Sequence, residues 1–199
     1  MEYLILSFLL GSIRVGYLLV LLTGKNDIRK FGSKNIGATN VLRHSGKLLG
    51  VITFILDFTK GFVPVIYYIY FEPETHLFIK TYVTMIGAAT ILGHIYSPWL
   101  KFKGGKGVAT TLGVILAILG SVGQIKIFIF IIIAWVLIVL FTKFVALASV
   151  ISLVLFVFYS YFFLNDFFIF FLLITTLIAY KHKDNFERIK NNKEHKISF

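Results

Sequence analysis

IFIFIIIAWVLIVLF, residues 127–141, decides the fold class. The stretch has no charged side chain, and its one polar side-chain atom is the indole nitrogen of Trp135. At 1.5 Å per residue it covers about 22 Å of helix, most of the roughly 30 Å hydrocarbon thickness of a bilayer. A helix on a soluble core keeps a polar face. This run is apolar all round, as a membrane span is. The rest of the chain agrees: of 199 residues 58% are hydrophobic, 22 are Phe and only 15% are charged, against about 25% in an ordinary soluble domain.

Working outward, spans are expected near residues 2–23, 50–71, 77–97, 108–121, 124–142, 144–164 and 167–181. Two are short. VATTLGVILAILGS and FFIFFLLITTLIAY have 14 residues each, about 21 Å of helix, so they are either tilted partners or re-entrant. The expectation is an all-α integral membrane protein, a compact bundle of seven transmembrane helices, with five as the alternative. The opening MEYLILSFLLGSIRVGYLLVLLTG has an acidic start, an interrupting Arg14 and no small-residue cleavage site, so it reads as a retained span and not a signal peptide. Within the second span, Pro64 and Gly61 are expected to bend or open the helix.

Basic residues orient the bundle. Loop 24–49 carries Lys25, Arg29, Lys30, Lys34, Arg43 and Lys47; loop 98–107 carries Lys101, Lys103 and Lys106; the tail 181–199 carries Lys181, Lys183, Arg188, Lys190, Lys193 and Lys196. The short loop between spans two and three has Glu72 and Glu74 and no base. The positive-inside rule puts the N-terminus outside, and both basic loops and the C-terminus in the cytoplasm. Removing both short spans leaves that assignment unchanged. Residues 1–199 read as a single transmembrane domain without repeats.

The formal charge of +11 fits a cytoplasmic membrane face and anionic lipids rather than nucleic acid. The chain has no Cys, which excludes disulfides and thiol catalysis. Five scattered His without thiols make no metal-ligand set. Chemistry must therefore come from three polar segments: GSKNIGATNVLRHSGK (32–47), FKGGKG (102–107) and HKDNFERIK (182–190). Glycines let backbone amides turn toward an anion, and helix starts add partial positive charge. FKGGKG runs straight into a span, which sets the Gly104 and Gly105 amides and Lys106 at a helix start. No acid lies between Gly32 and Asp57. The two loops together point to phosphate. GGKG is not a P-loop, since the residues between the outer glycines are missing.

Inside the second span, ILDFTKG places Asp57 and Lys60 on one helix face. Intramembrane charges are paired or functional, and both readings stand. His94, in LGHIYSPW, is either an interfacial residue beside Trp99 or a donor to bound phosphate. Arg14 needs a partner or a route to the interface. Trp99 and Tyr180 suit interfacial anchoring.

GSKNIGATNVLRHSGKLLG, LDFTKGFVPV, GHIYSPWLKFKGGKGVAT and HKDNFERI together resemble, in order and through most of the chain, the acyl-phosphate:glycerol-3-phosphate acyltransferase family of bacterial phospholipid synthesis. The resemblance implies a seven-span, multi-pass enzyme of the bacterial inner (cytoplasmic) membrane, monomeric, with its active site on the cytoplasmic face. It implies transfer of an acyl chain from acyl phosphate to the 1-hydroxyl of glycerol 3-phosphate, giving lysophosphatidic acid and phosphate. Ser33, Asn35, Gly37, Thr39 and Asn40 match the acyl-phosphate segment, and Arg43 a glycerol-phosphate ligand. Gly104, Gly105 and Lys106 match the second motif, and His182 and Asn185 the third, near the acceptor. Lys106, Arg43 and His182 are the expected catalytic residues, and His94 a further substrate contact. Two departures stand out: GSIRVGY where the family has GSIP, and KFVALAS where it has RYVSLAS, so that Ala146 replaces a hydroxyl.

The polar inventory suits that chemistry. Acyl phosphate is already activated, so no ATP, coenzyme A or metal is required. The H-x4-D dyad of other glycerolipid acyltransferases is missing; His182 has Glu187 five positions on. The remaining base is a phosphate oxygen of the donor. A phosphate transporter would use a midplane site in repeated halves, and a head-group-binding scaffold would not need two anion loops.

Overall fold

The computed structural model describes residues 1–72 and 79–197. Among them all regular structure is helical: α1 Glu2–Ser12, α2 Val15–Leu22, α3 Ala38–Ser45, α4 Lys47–Phe71, α5 Ile79–Ile95, α6 Val108–Ser121, α7 Ile125–Thr142, α8 Val145–Phe163, α9 Asn165–Lys181 and α10 Lys183–Lys190, with 3₁₀ turns at Ile28–Lys30 and Pro98–Leu100. Glu74 and the first two residues of the third expected span lie outside the described residues. The helices form two compact units, Met1–Ser121 and Val122–Phe199.

In the first unit α1 packs on α5, and α4 packs on α6, α3 and α5. Two of these crossings are reciprocal glycine contacts. A methyl on Gly11 would overlap the carbonyl of Thr90, and one on Gly93 the carbonyl of Phe8; Gly61 faces the carbonyl of Thr110 in the same way, and Gly113 that of Phe58. Between helices that share an apolar solvent, small residues let backbones approach closely enough for dispersion to hold them. α4 runs unbroken through Gly61 and Pro64, so the expected opening is not there.

The span expected at 2–23 is instead two helices, bent by 43° across Ile13 and Arg14. Such a break frees carbonyls that hydrocarbon cannot satisfy, and side chains supply the donors. Lys60 Nζ donates to Gly11 O at 3.2 Å and Ile13 O at 2.7 Å, and Ser97 Oγ to Ser12 O at 2.7 Å. Arg14 donates to the Trp99 carbonyl at 3.1 Å and lies over the Tyr17 ring. Trp99, expected as a plain anchor, also donates its indole N–H to Ser12 Oγ at 2.8 Å.

In the second unit α8 packs between α7 and α9. Trp135 Nε1 donates to Ser149 Oγ, and Phe156 meets Phe171 edge-on at 4.7 Å. Of α7 only Ile131 and Val139 are buried, while Ile129, Phe130, Ile133, Leu137 and Phe141 are exposed. An apolar surface of that extent belongs in lipid. α4, α7 and α8 are long and apolar enough to cross a membrane, as is the broken α1–α2 pair taken together; α6, at 14 residues, is shorter. α9 is three residues longer than the 14 counted from sequence. The two short helices α3 and α10, inside segments expected to be loop and tail, carry the motifs.

Candidate active site

The first motif loop is pinned from below by apolar residues. Ile28, Ile36 and Val41 are buried with Val20 and Leu100, which brings the loop back on itself above α2. Asn40 then ties its strands together. Its Oδ1 accepts the Ser33 N–H at 3.1 Å, and its Nδ2 donates to the carbonyls of Asn35, Phe31 and Ile28. Asn35 Oδ1 accepts the Gly37 N–H at 2.8 Å, shaping the turn that starts α3. Asn40, expected to hold substrate, is buried and its hydrogen-bonding capacity is spent on the loop. Asn35 is partly spent in the same way. Ser33, Thr39 and Arg43 are half-buried on this frame.

Arg29 and Lys25 have local partners in this loop. Arg29 pairs with Asp27 at 2.6 Å and stacks over Tyr17. Hydrogen bonds from Arg29 hold the Asp27 carboxyl below its usual range. Lys25 Nζ donates to Ser45 O at 2.7 Å, and His44 stacks on Phe31 at 4.0 Å.

The second motif loop corrects the expectation for its glycines. The Gly104 and Gly105 amides do not face outward: they donate to Ile95 O and His94 O, each at 3.0 Å. The glycines are needed for space. A side chain at Gly104 would collide with the His94 carbonyl, and one at Gly105 with His94 Nε2. Lys106 follows, half-buried, two residues before α6, where unpaired helix amides favour an anion. His94, left by the sequence as interfacial or phosphate-binding, is buried with its Nδ1 turned toward the α4 ion pair. It is 6% exposed, with Nδ1 at 3.4 Å from Lys60 Nζ and 3.7 Å from Asp57 Oδ1. Asp57 and Lys60, whose role the sequence left open, form an ion pair at 2.8 Å, with both side chains almost fully buried. The contact lacks hydrogen-bond geometry at Asp57 Oδ1, so the attraction is chiefly between the two charges.

The third motif sits at the α9–α10 junction of the second unit. His182 and Asn185, three residues apart, share a face of α10, and both are buried. His182 Nδ1 lies 2.8 Å from Ile178 O. A carbonyl can only accept, so Nδ1 carries a proton in this contact. Asn185 Nδ2 donates to Glu194 Oε1 at 2.8 Å, and Arg188 Nε to Glu194 Oε2 at 2.7 Å. Glu194 went unnoticed in the sequence. The available signal was the one acid after Glu187 in a basic tail, two residues after Asn192, whose positive φ of 55° turns the chain back. Ala146 is buried in the first turn of α8. Among the described residues no group of three or more His, Asp or Glu is gathered as a metal site would need.

Known proteins match this arrangement along its whole length. A glycerol-3-phosphate acyltransferase of Pelagibacter ubique is 41% identical over 199 residues, covering 98% of both chains. The one from Aquifex aeolicus is 41% identical over 202 residues, covering 97% of this chain and 96% of its own. The crystal structure of PlsY (YgiH), an integral membrane glycerol 3-phosphate acyltransferase, in its glycerol 3-phosphate form superposes with a TM-score of 0.87 at 35% identity, covering 99% of this chain and 94% of that one. Its lysophosphatidic acid form gives 0.85 at 34% identity with the same coverage. The family model for glycerol-3-phosphate acyltransferase matches residues 1–192, and with that the chain belongs to the glycerol-3-phosphate acyltransferase family.

Proposed function

We propose that the protein takes an acyl chain from acyl phosphate and transfers it to the 1-hydroxyl of glycerol 3-phosphate, as the first acylation of phospholipid synthesis. The hydroxyl oxygen attacks the acyl carbon and the carbon–oxygen bond to phosphate breaks. The hydroxyl proton passes to a donor phosphate oxygen, so lysophosphatidic acid and inorganic phosphate leave with atoms and charge balanced. The observation that carries this reading is the first loop, free of acids from Gly32 onward and folded around Asn40, beside a second loop that delivers Lys106 to the start of α6. The glycerol 3-phosphate and lysophosphatidic acid forms of the related PlsY structure support the acceptor and the product.

Electrostatics gives the loops their task. Two dianions about 6 Å apart repel by roughly 11 kcal/mol at an effective dielectric of about 20. Arg43, Lys106 and His182 offset that repulsion, and helix amides add to them. Ser33 and Thr39 supply hydroxyls to the donor phosphate; Asn185, held by Glu194, serves the acceptor. Catalysis rests on proximity and preorganised charge. The apolar spans take the acyl chain, worth about 0.8 kcal/mol per buried CH₂. The whole chain acts as one catalytic domain of seven spans, monomeric, with the N-terminus outside and the motifs on the cytoplasmic face. The deciding assay mixes purified protein, acyl phosphate and labelled glycerol 3-phosphate without ATP or divalent metal. Labelled lysophosphatidic acid is expected; its absence overturns the donor assignment.

A further inference from the structure

Among the described residues, three buried ionisable side chains remain without a task in that scheme: Asp57, Lys60 and His94, 4%, 5% and 6% exposed. An ion pair in an apolar interior adds little net stability, because desolvation consumes the attraction. Apolar side chains of the same volume would hold α4 and α5 together as well. What the three residues touch is more telling. On one side Lys60 closes the break between α1 and α2 through Gly11 O and Ile13 O. On the other, the His94 ring stands against Gly105, so close that no side chain fits there. The carbonyls of His94 and Ile95 hold the Gly105 and Gly104 amides. Beyond Lys106, the Thr110 hydroxyl donates to the Asp57 carbonyl at 3.0 Å. The segment carrying Lys106 is thus fastened on both sides to the backbone of the residues whose side chains form the cluster, and the His94 ring itself packs against Gly105.

We infer that Asp57, Lys60 and His94 are positioning residues for Lys106, fixing the FKGGKG loop and the first turn of α6 against the broken first span. They do not touch substrate. The inference rests on the proposed role of Lys106 at a substrate phosphate, and its test has one arm independent of that role.

His94→Leu removes both ring nitrogens while leaving the Asp57–Lys60 pair intact. The combined Asp57→Asn, Lys60→Met variant removes both charges together. Hydrogen–deuterium exchange of residues 101–107 in the detergent-solubilised full chain is expected to rise at least about tenfold at an unchanged melting temperature. Exchange equal to wild type in His94→Leu overturns the inference, and that variant decides even if the combined one fails to fold. In the acyl-transfer assay, His94→Leu should lower kcat/KM for acyl phosphate at least about tenfold in the wild-type background, yet less than about twofold in Lys106→Ala, since residues acting as one unit are not additive. An equal loss in both backgrounds makes His94 merely structural and overturns the inference. If wild type forms no lysophosphatidic acid at all, the functional reading falls while the exchange arm still decides the cluster.

Discussion

At the scale of single residues, Arg43, Lys106 and His182 separate by what each would do if lost. Lys106→Ala and Arg43→Ala should each lower turnover at least about 100-fold, the size of effect seen when one preorganised charge donor is removed. Both variants should still insert and purify; near-normal turnover removes that residue from the site. His182 tests the proton's destination. Its Nδ1 is committed to Ile178 O, so a base role would fall to Nε2. Under transfer to the donor phosphate, His182→Gln keeps much of the rate and the same acidic limb in the pH–rate profile, near the phosphate second pKa of about 6. Loss of that limb with a fall of about 1000-fold or more would make His182 the base. The motif residues were legible from sequence because phosphate chemistry needs cations and glycines without acids. Their division of labour was not legible. Asn40, Gly104 and Gly105 belong to the same motifs as Lys106, yet their polar atoms turn inward. Only the fold distinguishes a residue that binds from one that shapes the binder.

At the scale of elements, the glycine crossings make a prediction of opposite signs. Gly→Ala inside a helix is ordinarily stabilising by about 0.4–1 kcal/mol. Gly61→Ala should instead destabilise by about 1–3 kcal/mol, because the added methyl meets the Thr110 carbonyl of α6. Gly120→Ala, in open space on α6, should be neutral or stabilising. Thermal unfolding in detergent compares them, and equal shifts in the two variants would mean that the α4–α6 crossing yields without cost. Helix positions were well read from apolar runs: the span expected at 108–121 coincides with α6, and that at 124–142 with α7 to within a residue. The break at Ile13–Arg14 was not, because the residues that make it tolerable, Lys60 and Ser97, lie far away in sequence. α3 and α10 were hidden for another reason. They are short and polar, and their helicity comes from burying one face.

At the scale of the molecule, the absence of Cys from the sequence makes orientation directly testable. Lys103→Cys, in an exposed loop position, should resist a membrane-impermeant maleimide applied to intact cells and react in inside-out vesicles. Glu2→Cys should do the reverse. The opposite pattern would invert the proposed orientation. Sequence settled the class through α7, whose apolar residues point outward almost all round. It could not say that the chain divides at Ser121 into two contact units, since nothing in composition changes there. The broken first span finally has a consequence in time. As the chain emerges from the ribosome, the bend at Ile13 and Arg14 meets lipid before either of its side-chain donors has been made. Residue 60 must arrive to cover Gly11 and Ile13, and residue 97 to cover Ser12. The bend of the first span is therefore fully covered only once nearly half the protein has been synthesised.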